Sequence, residues 1–190
     1  MRRGFKSQCE KRSTEIRRKL GLAAHAPLLA SALAENQGVT IWSEADITEV
    51  DKVDLDCLSG VGRDAWSAFT LRVGEHHLVV FNSAQAPPRV NSVVMHELAH
   101  ILLGHELTSA SLSEDGCFVP TNYDQEQEDE ADWFAGTLLL PRPALLAVRS
   151  RKISDDVIME RYAVSRQMLN WRVRMTGVDY QLKAGRRSPA

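Results

Sequence analysis

The stretch that decides the fold of this chain is Val93-Val94-Met95-His96-Glu97-Leu98-Ala99-His100-Ile101-Leu102-Leu103-Gly104-His105. Four residues of an α-helix turn through about 400°, so His96 and His100 lie one above the other on the same face. Two imidazoles placed in this way can bind one metal ion. Glu97 lies about 100° further round the helix, where its carboxylate can reach a water on that metal without binding the metal itself. The H-E-x-x-H spacing therefore predicts the metal centre of a zinc hydrolase.

The residues around H-E-x-x-H separate a metal site from a chance match, because five-residue strings of this kind also occur in unrelated proteins. The stretch is rich in apolar residues, which are Val93, Val94, Leu98, Ile101, Leu102 and Leu103. A helix of this composition is largely buried, and an unpaired buried polar group costs about 1–3 kcal/mol. A metal ion with its water would satisfy the polar side chains of His96, Glu97 and His100 together. The surrounding residues therefore favour the metal site.

A second segment, residues 124–141, begins with carboxylates and continues as an apolar helix face. Most of these acids are explained by the positive end of a helix dipole. Zinc held by two histidines needs a third protein ligand if one position is to stay open for water. Glu128 faces inward with the apolar side and is the preferred third ligand, with Glu130 as its rival. Asp132, one turn further on, could accept a hydrogen bond from a ligating histidine and fix its tautomer.

The composition indicates an ordinary globular chain. Its 190 residues are 44% hydrophobic and 25% charged, and its net charge of −2 implies no general attraction to nucleic acid or membrane. No apolar run approaches the roughly 20 residues of a membrane span, and the basic N-terminus lacks the apolar core of a secretory signal. The three cysteines are widely spaced and fit reduced thiols, so we expect a cytoplasmic protein without membrane contacts.

The other segments predict a small α+β domain that is mostly helical, with a short β-hairpin packed on the H-E-x-x-H helix. Helical spacing predicts a basic amphipathic helix over 1–20 and a short helix from about Pro27 to Gly38. Strands are expected at 39–42, 66–71 and 77–82, the last two forming the hairpin. Residues 43–64 and 106–125 are expected to be irregular, the second of them as a loop that overhangs the metal.

The C-terminal residues 154–177 predict two helices with a turn near Ser165, a candidate N-cap. Such a pair resembles a helix-turn-helix unit, and Arg166, Arg172 and Arg174 give it positive charge that could contact DNA. The simpler interpretation, which we prefer, is that the pair closes the core of the protein. The segment 183–190 is small, polar and basic, and is expected to be disordered.

The two motifs together resemble the ImmA/IrrE metallopeptidases. In that family H-E-x-x-H is followed by an E-x-E-A-(N/D)-x-F-A segment and by a leucine-rich stretch ending in proline, which correspond here to 96–105, 128–135 and 138–141. The resemblance covers about residues 5–178. It implies a zincin-like domain over residues 1–150, followed by the helical segment and tail at 151–190. Members are zinc-dependent endopeptidases of bacteria and mobile elements, several of which cleave a cognate helix-turn-helix repressor.

The resemblance also implies roles for individual residues. It makes His96 and His100 metal ligands and Glu97 the catalytic acid/base, and it leaves the acidic ligand within the Glu128/Glu130 segment. His105 matches a common family position without an assigned role. On a continuous helix it would lie about 140° from His100, too far to share the metal. The same spacing excludes the metzincins, whose H-E-x-x-H-x-x-G-x-x-H pattern would place glycine at 103 and histidine at 106.

The expected function is therefore zinc-dependent hydrolysis of a peptide bond in a protein substrate, either a cognate helix-turn-helix repressor or an antitoxin in a bacterial regulatory, stress-response or mobile-element system. Zn²⁺ is the expected metal, and Mn²⁺ is an alternative in the same nitrogen and oxygen site. His76, His77 and Tyr123 are candidates by residue type for stabilising the oxyanion. The alternative function is a DNA-binding or protein-binding regulator with a structural metal site and no turnover.

Overall fold

A computed structural model describes residues 1–47, 63–106, 110–112, 118–120 and 124–185. This part of the chain contains eight α-helices and five strands, so the predicted small, mostly helical α+β domain is confirmed. The elements are α1 (Phe5–Lys19), α2 (Ala30–Gln37), β1 (Thr40–Ser43), β2 (Ala68–Val73), β3 (His76–Phe81), α3 (Pro87–Leu103), β4 (Ala110–Leu112), β5 (Phe118–Pro120), α4 (Gln125–Leu139), α5 (Arg142–Ser150), α6 (Asp155–Tyr162), α7 (Arg166–Thr176) and α8 (Val178–Gly185).

Three strands form a mixed sheet in the order β1-β3-β2. Strands β2 and β3 pair antiparallel as the predicted hairpin, whereas β1 pairs parallel to β3, which the sequence alone did not indicate. Ile41, Val79 and Thr70 are aligned across the sheet, and Val79 is fully buried in the main core. Among the described strands β2 lies at an edge, next to α3.

Helices α3 and α4 pack along each other at the centre of the protein. Leu98 and Ala99 of α3, with Phe134 and Leu138 of α4, are completely buried. Helix α3 begins at Pro87, and this proline and its neighbour occupy the first helical positions, where proline is well tolerated. It ends at Gly104, whose φ of 70° is the left-handed conformation that glycine adopts without strain.

The start of α4 is capped as its sequence favours. The carboxylate of Asp124 accepts hydrogen bonds from the backbone amides of Glu126 and Gln127, which would otherwise have no partner within the helix. The acidic first turn suits the positive end of the helix dipole. The carboxylates of this segment therefore lie on the first turns of α4, beside α3.

Two completely buried arginines join α1 and α7 to the C-terminal end of α4. Arg17 donates hydrogen bonds to the carbonyl oxygens of Ala26 and Leu138, at 2.9 and 2.5 Å. Arg172 donates to the carbonyl oxygen of Leu140, at 3.0 Å, and to the carboxylate of Glu10, at 2.7 Å. Free carbonyls at a helix C-terminus favour cationic donors, so these side chains hold that end of α4 in place.

The burial of Arg172 corrects one expectation from the sequence. The predicted helix pair is present as α6 and α7, with Ser165 accepting a hydrogen bond from the amide of Met168 at the start of α7. The guanidinium of Arg172 points into the core, however, and Arg166 is paired with Asp155 and Asp156. Arg172 is therefore not available to contact DNA, because the protein's interior already uses it.

Several further segments differ from the sequence-based expectations. Helix α5 was not predicted, and residues expected to lie in a loop at 106–125 include the antiparallel pair β4 and β5. Helix α8 continues to Gly185, into the segment expected to be disordered. The expectations for residues 48–62, for Tyr123 and for residues 186–190 lie outside the described residues. In the part of the chain that the structure covers, no helix has the length and apolar character needed to cross a membrane.

The contact between α4 and α7 gives a test of this packing. A Cβ atom added to Gly136 would lie 2.4 Å from the ring of Trp171 and 3.1 Å from the Cδ atom of Arg172. The partly buried indole of Trp171 packs against the core and the ring of Trp133 and cannot move without disturbing these contacts, so we expect Gly136→Ala to lower the free energy of unfolding by about 1–3 kcal/mol. Urea denaturation would show this as a lower midpoint. The control is Gly185→Ala, where no described atom lies within 4 Å and the midpoint should not fall; equal midpoints for the two variants would contradict the packing described.

Candidate metal centre

Two imidazoles from α3 and one carboxylate from α4 converge where the two helices face each other. The Nε2 atoms of His96 and His100 are 3.1 Å apart. Glu128 places Oε2 at 3.1 Å from the Nε2 atom of His96 and Oε1 at 3.5 Å from that of His100. The ligand atoms of these three residues all lie within 4.8 Å of one another. The structure thus brings together the three residues that the sequence singled out as ligands.

The donor set fits a divalent metal ion. Two imidazole nitrogens and a carboxylate oxygen are borderline ligands of the type that zinc prefers. Ligand atoms in a tetrahedral site with bonds of about 2.0–2.1 Å lie a little over 3 Å apart. The separation between the two Nε2 atoms, 3.1 Å, is close to that value. The three side chains would need little movement to hold such an ion.

Asp132 lies behind the first of the two histidines. One of its carboxylate oxygens is 2.9 Å from the Nδ1 atom of His96, and its side chain is 71% exposed. Asp132 lies one helical turn after Glu128, on the same face of α4. The two carboxylates therefore both reach the imidazole of His96. A proton held on Nδ1 by Asp132 leaves the Nε2 lone pair free to face a metal ion.

Glu97 is held by a residue that the sequence reading missed. The hydroxyl of Thr70, on the edge strand β2, donates a hydrogen bond of 2.6 Å to Oε2 of Glu97. Burial raises the pKa of Glu97, and the Thr70 hydrogen bond opposes this effect by favouring the carboxylate. Thr70 lies on the same face of the sheet as Val79. The alternation of side chains along β2 is the sequence signal that could have indicated that Thr70 faces α3.

The titratable side chains of the site shift one another's pKa values in opposite directions. Burial lowers the pKa of His96, but hydrogen bonds to Asp132 and Glu128 outweigh this effect and raise it to about 10. Burial and the nearby His96 lower the pKa of His100 to about 4, and the hydrogen bond from His96 lowers that of Glu128. These directions favour a proton on His96, between two carboxylates, over one on His100. A metal ion would have to displace the proton on the Nε2 atom of His96.

The rival carboxylate Glu130 lies elsewhere. Its side chain is only 8% exposed, and its Oε2 atom is 3.7 Å from the Nε2 atom of His105. The other ring nitrogen of His105 is 3.0 Å from the Nδ1 atom of His100. Glu130 thus faces His105, on the side of His100 away from the converging ligand atoms.

The residues that the sequence suggests for stabilising the oxyanion are His76, His77 and Tyr123. His76 and His77 both lie on β3, opposite Val73 and Arg72 of β2, and His76 is exposed. Tyr123 lies outside the described residues. Their role stays a prediction.

Two histidines from one helix, a carboxylate from the next helix and a half-buried glutamate beside them are the parts of a metallopeptidase centre of the H-E-x-x-H class. Residues 52–174 match the family model Peptidase_M78, described as the IrrE N-terminal-like domain, and the chain belongs to this family. The predicted resemblance to the ImmA/IrrE family is thereby confirmed, and the family indicates a metallopeptidase. No curated protein and no solved structure matches the chain.

Removing the carboxylate of Glu128 should remove most of the metal affinity of the site. We expect Glu128→Ala to weaken zinc binding by more than about 100-fold, since loss of a direct ligand exceeds the 10- to 100-fold cost of losing a residue that only supports one. Competition with a chromophoric chelator measures the dissociation constant. Asp129→Ala is the matched control, because Asp129 is an exposed carboxylate on the same helix turn. Equal zinc affinities for both variants would remove Glu128 from the site.

Proposed function

We propose that this chain is a zinc-dependent endopeptidase that hydrolyses a peptide bond in a protein substrate. In this proposal His96, His100 and Glu128 hold the ion, and Glu97 is the general base and acid. The observation that carries it is the convergence of the three ligand atoms within 4.8 Å, next to the half-buried carboxylate of Glu97. Membership of a peptidase family supports the same conclusion.

Glu97 is suited to move the proton in such a reaction. When bound, a zinc ion acidifies water and polarises the scissile carbonyl. Glu97 would accept the proton of the attacking water and later give it to the leaving amine, which requires a pKa above that of an exposed glutamate. Its burial raises the pKa in that direction. Thr70 holds Oε2 at 2.6 Å, so the carboxylate has one fixed oxygen and one that can exchange the proton.

The edge strand β2 offers a way to bind the substrate. An extended peptide can add to an exposed strand edge through backbone hydrogen bonds, with side chains alternating between the two faces. Strand β2 lies at the edge of the described sheet and carries Thr70, which contacts Glu97. A peptide paired with β2 would therefore run close to the proton-transferring carboxylate. We infer that the substrate binds as a strand in this position.

We further propose that the substrate is a helix-turn-helix repressor or an antitoxin, and that the reaction takes place in the cytoplasm of a bacterium. What supports this substrate is the resemblance to the ImmA/IrrE enzymes, several of which cleave such repressors. The cytoplasmic location rests on the widely spaced cysteines. Cys9, the one in the described residues, is a buried free thiol, and burial raises its pKa to about 12.

The alternative function, a DNA-binding regulator with a structural metal, receives less support. It relied on positive charge in the C-terminal helix pair, but Arg172 is completely buried and bonded to Glu10. Arg166 is neutralised by two aspartates. Only Arg174 of the three remains an exposed cation without a described ion pair, which is a small basis for binding duplex DNA.

The role of Glu97 is tested by Glu97→Gln. Loss of general acid–base catalysis should reduce cleavage by about 10²–10⁴-fold. Zinc affinity should stay near that of the wild type because Glu97 is not a ligand. The assay mixes zinc-loaded protein with candidate helix-turn-helix repressors from the same genome and identifies fragments by mass spectrometry. Glu126→Gln, an exposed glutamate on α4, is the control and should cleave normally. Wild-type rates in Glu97→Gln would rule out the proposed proton transfer, and an intact repressor with the wild type would rule out this substrate.

The contribution of Thr70 is tested by two substitutions of similar size. Thr70→Val removes the hydroxyl that holds Glu97, and a hydrogen bond to a charged group contributes about 1.5–3 kcal/mol. We expect kcat to fall by about 10- to 100-fold while the zinc affinity is unchanged. Thr70→Ser keeps the hydroxyl and should restore most of the rate. If valine and serine gave the same kcat, the hydrogen bond would have no part in catalysis.

A further inference from the structure

The two candidate metal-binding histidines are supported on their far sides by different groups. The Nδ1 atom of His96 contacts a carboxylate directly, that of Asp132, at 2.9 Å. The Nδ1 atom of His100 instead contacts another imidazole, with Nδ1 of His105 at 3.0 Å. The H-E-x-x-H spacing gives no reason for a third histidine here, and the proposed reaction does not use it.

Helix termination brings His105 to this position. Had α3 continued, His105 would lie about 140° round the helix from His100 and could not reach it. Gly104 ends the helix with a φ of 70°, and the backbone amide of His105 donates a hydrogen bond to the carbonyl of His100. This left-handed turn folds the chain back so that the two rings meet edge to face, with centroids 5.0 Å apart. The side chain of His105 is 8% exposed.

Only one arrangement of protons on neutral rings serves both contacts and a metal ion. If the Nε2 atom of His100 is to bind an ion, its proton must be on Nδ1, where it donates to His105. The Nδ1 atom of His105 must then accept, so its own proton is on Nε2. That nitrogen faces Oε2 of Glu130 at 3.7 Å. The protons therefore point in a single direction, with a hydrogen bond from His100 to His105 and an electrostatic contact of 3.7 Å from His105 to Glu130.

Glu130 is a suitable end for this line of groups. Its side chain is 8% exposed, and a buried carboxylate needs donors around it. On its other side Oε1 lies 3.8 Å from the Nε atom of Arg2, whose own side chain is 74% exposed. Glu128 and Glu130 are two positions apart on α4 and so point in different directions, one carboxylate reaching the converging ligand atoms and the other lying beside His105.

We propose that His105, held by Glu130, is a positioning residue that fixes the ring orientation and tautomer of His100 for metal binding. This inference rests on the proposed zinc site. It assigns the second glutamate of the E-x-E segment to the support of His105, rather than to the metal, and it gives His105 a role that neither the motif nor the helix spacing provides.

The test compares His105→Leu with His105→Asn. Leucine removes the acceptor, whereas the asparagine side-chain oxygen can occupy the place of Nδ1 and still accept from His100. We expect His105→Leu to weaken zinc binding by about 10- to 100-fold, as loss of a ligand's hydrogen-bond partner typically does. His105→Asn should recover most of this loss. Chelator competition gives the affinities, and the visible spectrum of the Co²⁺-loaded protein should change in the leucine variant and return towards the wild type in the asparagine variant.

Three controls separate the possible outcomes. Circular dichroism of the metal-free variants shows that they fold, and Glu106→Gln, an exposed neighbour, should bind zinc like the wild type. Asp132→Ala should show a loss similar to that of His105→Leu, since it removes the hydrogen-bond acceptor from the Nδ1 atom of His96. ¹H–¹⁵N correlation spectra of the zinc-loaded wild type should show His105 protonated at Nε2 and not at Nδ1.

Wild-type affinity and an unchanged cobalt spectrum in His105→Leu would overturn the inference while leaving the zinc site intact. A His105 protonated at Nδ1 would do the same. Failure of the wild type itself to bind zinc would overturn the proposed metal site and this inference with it. If His105→Leu does not fold, the direction of the His105 tautomer in the wild-type spectrum alone decides the question.

Discussion

The contact between α3 and α4 is the interaction on which the rest of the structure depends. Each helix buries an apolar side in the core, Leu98 and Ala99 on α3 and Phe134 and Leu138 on α4. Close packing excludes most solvent from this interface, so polar side chains that are partly buried in it need partners there. The two imidazoles on α3 meet the first turns of α4, where carboxylates are favoured by the helix dipole. The candidate metal-binding group therefore follows a rule that applies to buried polar residues in general.

Other parts of the fold keep these two helices in register. Arg17 and Arg172 bind the carbonyl oxygens at the C-terminal end of α4, far along the helix from Glu128. Glu10 accepts hydrogen bonds both from Arg172 and from the backbone amide of Arg142, so α1, α5 and α7 meet at one carboxylate. Buried charged groups that are paired in this way hold the helices in one arrangement, although removing a single partner would be costly. They explain why the positive charge of Arg172 serves the interior and not the surface.

The side chains that hold the two proposed histidine ligands and Glu97 in place come from several elements. Asp132 of α4 holds His96, and His105, just beyond α3, holds His100. Thr70 of β2 holds Glu97, which is half-buried beside the three proposed ligands. A histidine or carboxylate held on its far side is already oriented before it meets a ligand, which lowers the cost of ordering it. The sheet and both helices therefore each determine the position of one functional side chain.

The sequence by itself determined which residue types can do the chemistry and where along the chain they lie. A helix has a fixed period, so H-E-x-x-H places His96 and His100 on one face, and the inward face of the acidic segment selects Glu128 before Glu130. Turn and cap signals predicted the hairpin and most helices for the same local reason. The sequence could not show that β1 pairs parallel with β3, that Arg172 is buried, or that Thr70 reaches Glu97 across 27 residues. Nor could it show that the turn at Gly104 returns His105 to His100. These facts depend on contacts between distant segments, and only the packing of the whole chain decides them.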